Sequence, residues 1–268
     1  MPRIELLMSL LAGFAGAAFA AAAADPAPTL KTATTHPMKY HLSLPQAWTA
    51  GRSWPVAVLI PDAARDFEGN LAAFVKARGT LPYILVAPHV VTSGGSGYRQ
   101  SDTYRYSEDD WRKVSEAGDF RFDEEGIAAV LADVRKNFGG EDRAFLTGWE
   151  AGGHTVWALT FRHPEWWRAS APVSTNYQGR WLDEAAFSKS DARRTLPVRV
   201  LFCEKSAVPK GWEFFTAQTK NAVAAAGAHG FANVSLAEVP GQPHGPLAGA
   251  GIAFFESVRT GTAPAVRN

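Results

Sequence analysis

Seven short apolar runs, at 39–44, 56–61, 83–88, 144–148, 169–173, 198–203 and 234–239, alternate with stretches of helical periodicity, and this alternation most limits how the chain can fold. Several runs are rich in Val, Ile and Leu with no polar alternation, the pattern of strands covered on both faces. Helical stretches fit between them at 70–78, 123–138, 151–163, 210–226 and 250–259. In the second, Asp123 is placed as an N-cap, and Ile127, Val130, Leu131, Val134 and Phe138 line one face. Gly139 and Gly140 stop it, as glycines do at helix C-termini. Pro164 limits the third. The order predicts an α/β fold, a doubly wound, mostly parallel sheet of about seven or eight strands with helices on both faces. Ligands of such sheets bind beyond the carboxyl ends of the strands.

The ends of the chain read differently. Arg3, an apolar stretch at 6–19 and alanines up to Asp25 have the order of a secretory leader, with A-x-A sites at Ala18/Ala20 or Ala22/Ala24. The expected organisation is a signal peptide at 1–24, a Pro/Ala/Thr-rich linker at 25–37, a domain at 38–260 and a tail at 261–268. The mature protein is then periplasmic or extracellular, without a membrane span; an uncleaved N-terminal anchor is the alternative. With 27 Lys+Arg against 26 Asp+Glu there is no basic stripe for phosphates, so no nucleic-acid partner is expected. The single cysteine, Cys203, excludes an intramolecular disulfide, and its place at the end of an apolar run favours a buried, inert thiol.

One stretch breaks the alternation. Residues 91–120 are polar, Gly-rich early and carry Tyr98, Tyr104, Tyr106 and Trp111. A long irregular segment leaving the carboxyl end of a strand either roofs a pocket or packs on its own aromatics.

The most informative segment runs from Arg143 to Trp157 as strand, sharp turn and helix, with Gly148 and Gly152 two residues either side of Glu150. Small flanks are needed where the central residue adopts a strained conformation and the helix closes on the strand. A side chain held there projects above a helix N-terminus.

Here the sequence resembles the α/β-hydrolase family, especially secreted esterases related to polyhydroxybutyrate depolymerases and feruloyl esterases. The resemblance runs from about Val56 to Val258, through a Leu-Thr-Gly-x-x-x-Gly-Gly turn, the Phe-Arg-His-Pro-Glu after it, and a late Pro-Gly-Gln-Pro-His-Gly containing His244. In that family the turn reads G-x-S-x-G and its serine attacks an ester carbonyl; this chain reads Gly148-Trp149-Glu150-Ala151-Gly152. The resemblance implies that His244 stands where the general base sits. It places Glu204 nearest the triad acid, in a loop without an aspartate. It sets Asp62 and Ala63 in the oxyanion-hole loop, where the usual His-Gly is missing, and Ala151 beside the turn.

A carboxylate cannot replace serine in the ordinary route, because that route needs a hydroxyl from which histidine removes a proton. Ordinary serine-esterase activity is therefore not expected. The first reading is a hydrolase-like scaffold that binds a ligand or partner. The second is a carboxylic-ester or related hydrolase in which Glu150 attacks and His244 activates water, although the extra methylene relative to aspartate displaces the reacting oxygen. A third is a carboxylate cluster of Asp62 and Glu150 sharing a proton, and a fourth a plain salt bridge. Ser96 and Ser206 lack the turn's context and read as loop serines; His154 reads as packing or capping, and His89 as a residue bordering the pocket. Trp149, Trp181 and Trp212 fall near strand ends, where they would wall an acyl, aryl or sugar ligand. No cofactor fingerprint or metal-ligand spacing is present, so neither is expected.

Overall fold

The computed structural model describes residues 26–93, 103–177, 180–207 and 209–262. The expected leader, Ser96, Tyr98 and the side chain of Ser206 lie outside the described residues.

Eight strands form one sheet, β1 (Thr29–Thr32), β2 (Lys39–Ser43), β3 (Val56–Ile60), β4 (Ile84–Pro88), β5 (Ala144–Trp149), β6 (Trp167–Val173), β7 (Val198–Cys203) and β8 (Val234–Val239). Their order is β1-β2-β4-β3-β5-β6-β7-β8. The pairs β1/β2 and β2/β4 are antiparallel, and all others parallel. All seven runs read as strands are strands. The eighth, β1, lies within the stretch read as a linker. It is a polar, mostly exposed edge strand, and its sequence carries no burial signal.

Five long helices cover the sheet. On one face lie α1 (Phe67–Arg78) and the last helix, α7 (Ala248–Thr260), where Leu71 and Phe74 meet Ile252, Phe254 and Phe255 over Leu59, Leu85 and Phe145. On the other lie α3 (Asp119–Phe138), α4 (Gly153–Arg162) and α6 (Trp212–Ala228), which bury Ile127, Val130, Trp157 and Ala222 over Val58, Val86 and Leu146. A short α5 (Ala192–Thr195) precedes β7. Removing each Leu, Phe or Trp side chain from water is worth roughly 1.5–3 kcal/mol, so two such layers carry the fold. The chain thus has the doubly wound α/β architecture expected of it.

Two expectations change. The helix read as starting at Asp123 begins at Asp119 instead, after Gly118, which at φ +83 ends the preceding helix. Asp123 lies inside α3, and its carboxylate accepts from Val91 N, Thr92 N and Thr92 Oγ at 3.0, 2.8 and 2.6 Å, closing the end of β4. The irregular segment at 91–120 also holds a helix, α2 (Glu108–Ala117), started by a Ser107/Asp110 capping box. Tyr104, Tyr106 and Trp111 pack on one another at ring distances of 5.2 to 5.7 Å. The two tyrosine hydroxyls donate at the same strand end, Tyr104 to Val90 O and Tyr106 to His89 O.

Candidate functional site

The strand-to-helix turn has the strain its glycines suggested. Glu150 sits at φ +49, a left-handed conformation that costs a residue with a Cβ roughly 1–2 kcal/mol. A Cβ on Gly148 would lie 2.7 Å from both Ile60 Cβ and Val156 Cγ2. Cβ atoms on Gly152 and Gly153 would strike Pro61 O and Thr175. Close packing of α4 against β3 and the end of β6 therefore fixes the turn. Asn176 N donates to Glu150 O at 2.9 Å, tying the turn to the segment after β6.

From this turn the Glu150 carboxylate reaches the loop between β8 and α7. Its Oε2 lies 3.6 Å from His244 Nε2, with both side chains partly exposed. The imidazole is wedged between two rings, Trp149 at 5.5 Å edge-on and Phe215 at 5.1 Å. Its other nitrogen, Nδ1, faces Cys203 Sγ at 3.7 Å, and Ser174 Oγ lies 3.9 Å beyond that sulfur. Burial pushes the Cys203 thiol above its ordinary range, so it is a protonated, weakly donating group.

The carboxylates take different places. Glu204 Oε2 accepts from Gly241 N at 3.0 Å, so it staples the end of β7 to the turn that carries His244. Asp62 is half-buried in the loop after β3, and its carboxyl is raised above the usual range, first by desolvation and then by the Glu150 charge. The N–H groups of Ala64 and of Asp62 itself oppose that rise. Asp62 therefore feels the Glu150 charge, and Ala63 and Ala151 follow the two carboxylates in their respective turns.

The other candidates separate from this cluster. His89 is buried and stacked on Phe67 at 4.2 Å, and burial lowers its pKa to about 4. His154 is also buried, and is lowered to about 4 by burial and then by Arg180. Trp181 stacks on Phe120 at 6.3 Å, and Trp212 lies 6.2 Å from Phe202, so of the three tryptophans only Trp149 touches the imidazole. Among the described residues no group of three His, Cys, Asp or Glu side chains is placed to hold a metal ion. No described helix is long and apolar enough to cross a membrane.

Cys203 is, with Phe215 and Ser174, a site neighbour that sequence reasoning missed. It is the last residue of β7, so it stands at the carboxyl edge of the sheet, and alternation turns it away from Glu204. That placement was the available signal.

Solved structures share this architecture. A poly(3-hydroxybutyrate) depolymerase from Bordetella parapertussis superposes with a TM-score of 0.56 at 17% identity, over 86% of this chain and 86% of its own. A siderophore hydrolase from Aspergillus nidulans also gives 0.56 at 17%, over 87% of this chain and 94% of its own. A thermostable esterase gives 0.53 at 17%, over 87% of this chain but only 62% of its own length, less than two thirds. No protein-family model and no curated protein matches the chain. Sheet order, turn and neighbours together define the α/β-hydrolase fold, and this chain has it.

Proposed function

We propose that this chain is an exported α/β-hydrolase-fold protein without ordinary serine-esterase chemistry, acting as a binding or degenerate hydrolase scaffold. Its site takes a small molecule with acyl, aryl or sugar character. The observation that carries this reading is the 3.6 Å approach of Glu150 Oε2 to His244 Nε2 at the strained turn. The nitrogen that would take a hydroxyl proton in a serine hydrolase faces an acceptor instead. Trp149 and Phe215 frame that imidazole and offer flat apolar walls for a ring or an acyl chain.

The test is Glu150→Ser, assayed with short-chain p-nitrophenyl esters. Wild type is expected to show no turnover above background. Gained hydrolysis in the variant would support a site intact except for its nucleophile. Serine-type turnover by wild type, blocked by an organophosphate, would remove the reading.

A second reading rests on a different observation. The Asp62 carboxyl is raised first by desolvation and then by the Glu150 charge, so the two carboxylates are electrostatically linked, as in carboxylate-based hydrolysis. Attack by a Glu150 oxygen on an epoxide carbon would break that carbon's bond to the ring oxygen, which takes a proton from solvent. Water, deprotonated by His244, would then add at the Glu150 carboxyl carbon of the resulting ester and expel the diol. Turnover in 18O-labelled water then places the label in the Glu150 carboxylate, readable by peptide mass spectrometry. Turnover without label there excludes this route.

A further inference from the structure

Away from Glu150 and His244, the segments that precede β7 and β8 enclose a cavity of about 530 Å³. It is lined by Glu184, Ser188, Lys189, Arg193, His229 and Gly230, among others. The acidic side chains in and near this cavity each have a partner, that of Glu184 lying within the lining itself. Glu184 pairs with His229 Nε2 at 3.1 Å, Asp191 with Arg194 at 3.7 Å, and Asp183 accepts from Ala185 N at 3.0 Å. Lys189 and Arg193 are left, among the described residues, without a carboxylate partner.

Arg193 is not a loose surface cation. Its Nη1 donates to Ser188 O at 3.1 Å. Its Nε is screened from solvent and meets no acceptor. Gly230, held at φ +80, closes over it so tightly that a Cβ there would lie 3.2 Å from Nε. A guanidinium fixed in this way has lost its rotamer freedom before any ligand arrives. With Nη1 bonded to Ser188 O and Nε shielded under Gly230, Nη2 is the guanidinium nitrogen left to meet an oxyanion.

We propose that this cavity is a binding site for a phosphate-type dianion, held between Arg193 Nη2 and the Lys189 ammonium, with Ser188 at its rim. A carboxylate would neutralise one of the two unpaired charges, whereas a phosphate neutralises both. The volume exceeds what a bare ion fills, and buried Phe187 beside it offers an apolar wall to an attached carbon chain. The site shares no residue with the Glu150 cluster and stands or falls independently of the proposed function.

The test titrates the full chain with inorganic phosphate and, separately, with glycerol 1-phosphate, at constant ionic strength against chloride. Amide and Arg side-chain 1H–15N signals are followed. Saturable shifts are expected at Arg193 Nε–H and Gly230 N–H, with Gly152 unmoved. Lys189→Ala, an exposed change that leaves the packing intact, should weaken binding roughly tenfold, as should Arg193→Lys, which keeps the charge but loses the planar group that packing holds in place. Tighter binding of the ester assigns an organic phosphate, and equal binding assigns the ion. Shifts that never saturate, that chloride reproduces, or that survive Lys189→Ala unchanged would overturn the site.

Discussion

His244 Nε2 and Glu150 Oε2 face each other across 3.6 Å, from a loop near the C-terminus and a turn in the middle of the chain. Because both side chains are partly exposed, their attraction is screened, and such pairs contribute about 0–1 kcal/mol to stability. Glu150→Gln should therefore lower the unfolding free energy by less than about 1 kcal/mol in urea titrations. A loss of several kcal/mol would mean that the carboxylate serves the fold rather than the site.

The backbone at Glu150 sets a second expectation. At φ +49 a residue with a Cβ is strained and glycine is not. Glu150→Gly should then be more stable than Glu150→Ala by about 1 kcal/mol, the reverse of the usual helix-propensity order. Thermal melts of the two variants decide it. An Ala variant equal to or more stable than the Gly variant would show that the turn relaxes when its side chain is shortened.

The packing around that turn is tight enough to test by single methyl groups. A Cβ on Gly152 meets Pro61 O, an atom that moves only if the loop after β3 moves. Gly152→Ala should cost roughly 2–3 kcal/mol by overpacking. Gly227 in α6 has open space around its Cβ position, so Gly227→Ala should be neutral or gain up to about 1 kcal/mol. The denaturant midpoint of Gly152→Ala should fall below that of wild type, and that of Gly227→Ala should not.

Buried Asp123 makes stability depend on pH. Burial raises its carboxyl from the ordinary 3.8 to about 7, against the pull of Thr92 Oγ and the N–H groups of Val91 and Thr92. Between those two values the folded chain holds a proton that the unfolded chain has released. Stability from this group therefore falls as pH rises, by at most about 1.4 kcal/mol per pH unit for one proton. Urea unfolding from pH 4.5 to 7.5 should show that slope for wild type relative to Asp123→Asn, whose amide does not titrate. Parallel curves for the two proteins would show that Asp123 stays ionised throughout.

How much of this was legible in the sequence follows from where each signal resides. The strands at Val56–Ile60 and Ile84–Pro88 are buried on both faces, so their composition announces them. The turn at Glu150 was legible because two glycines at fixed spacing have few other reasons to be there. Strand β1 was hidden because an edge strand is exposed and reads as polar linker. Asp123 was misread because an aspartate before an apolar helical face looks the same whether it caps its own helix or reaches across to Thr92. Cys203 was recognised as buried, but its neighbour His244 comes from a loop 41 residues later. No local pattern records such a contact.

With the thiol protonated, that contact implies one direction for the hydrogen bonds in the site. The Cys203 thiol, raised by burial, keeps its proton and can donate it to His244 Nδ1 at 3.7 Å. Nδ1 is then an acceptor, so the ring proton resides on Nε2, where it points at Glu150 Oε2. In a serine hydrolase the order is reversed, with an acid accepting from Nδ1 and Nε2 free to take a proton. The 15N shifts of His244 near neutral pH should therefore report the Nε2–H form, and Cys203→Ser, which retains a donor, should preserve it. Cys203→Asp supplies an acceptor and should move the proton to Nδ1. Added to Glu150→Ser, it should raise ester hydrolysis above that of the single Glu150→Ser variant by roughly tenfold or more, since orienting the base is worth at least that in related chemistry. If wild type already carries its proton on Nδ1, the thiol is not directing the ring, and the double variant should gain nothing over the single one.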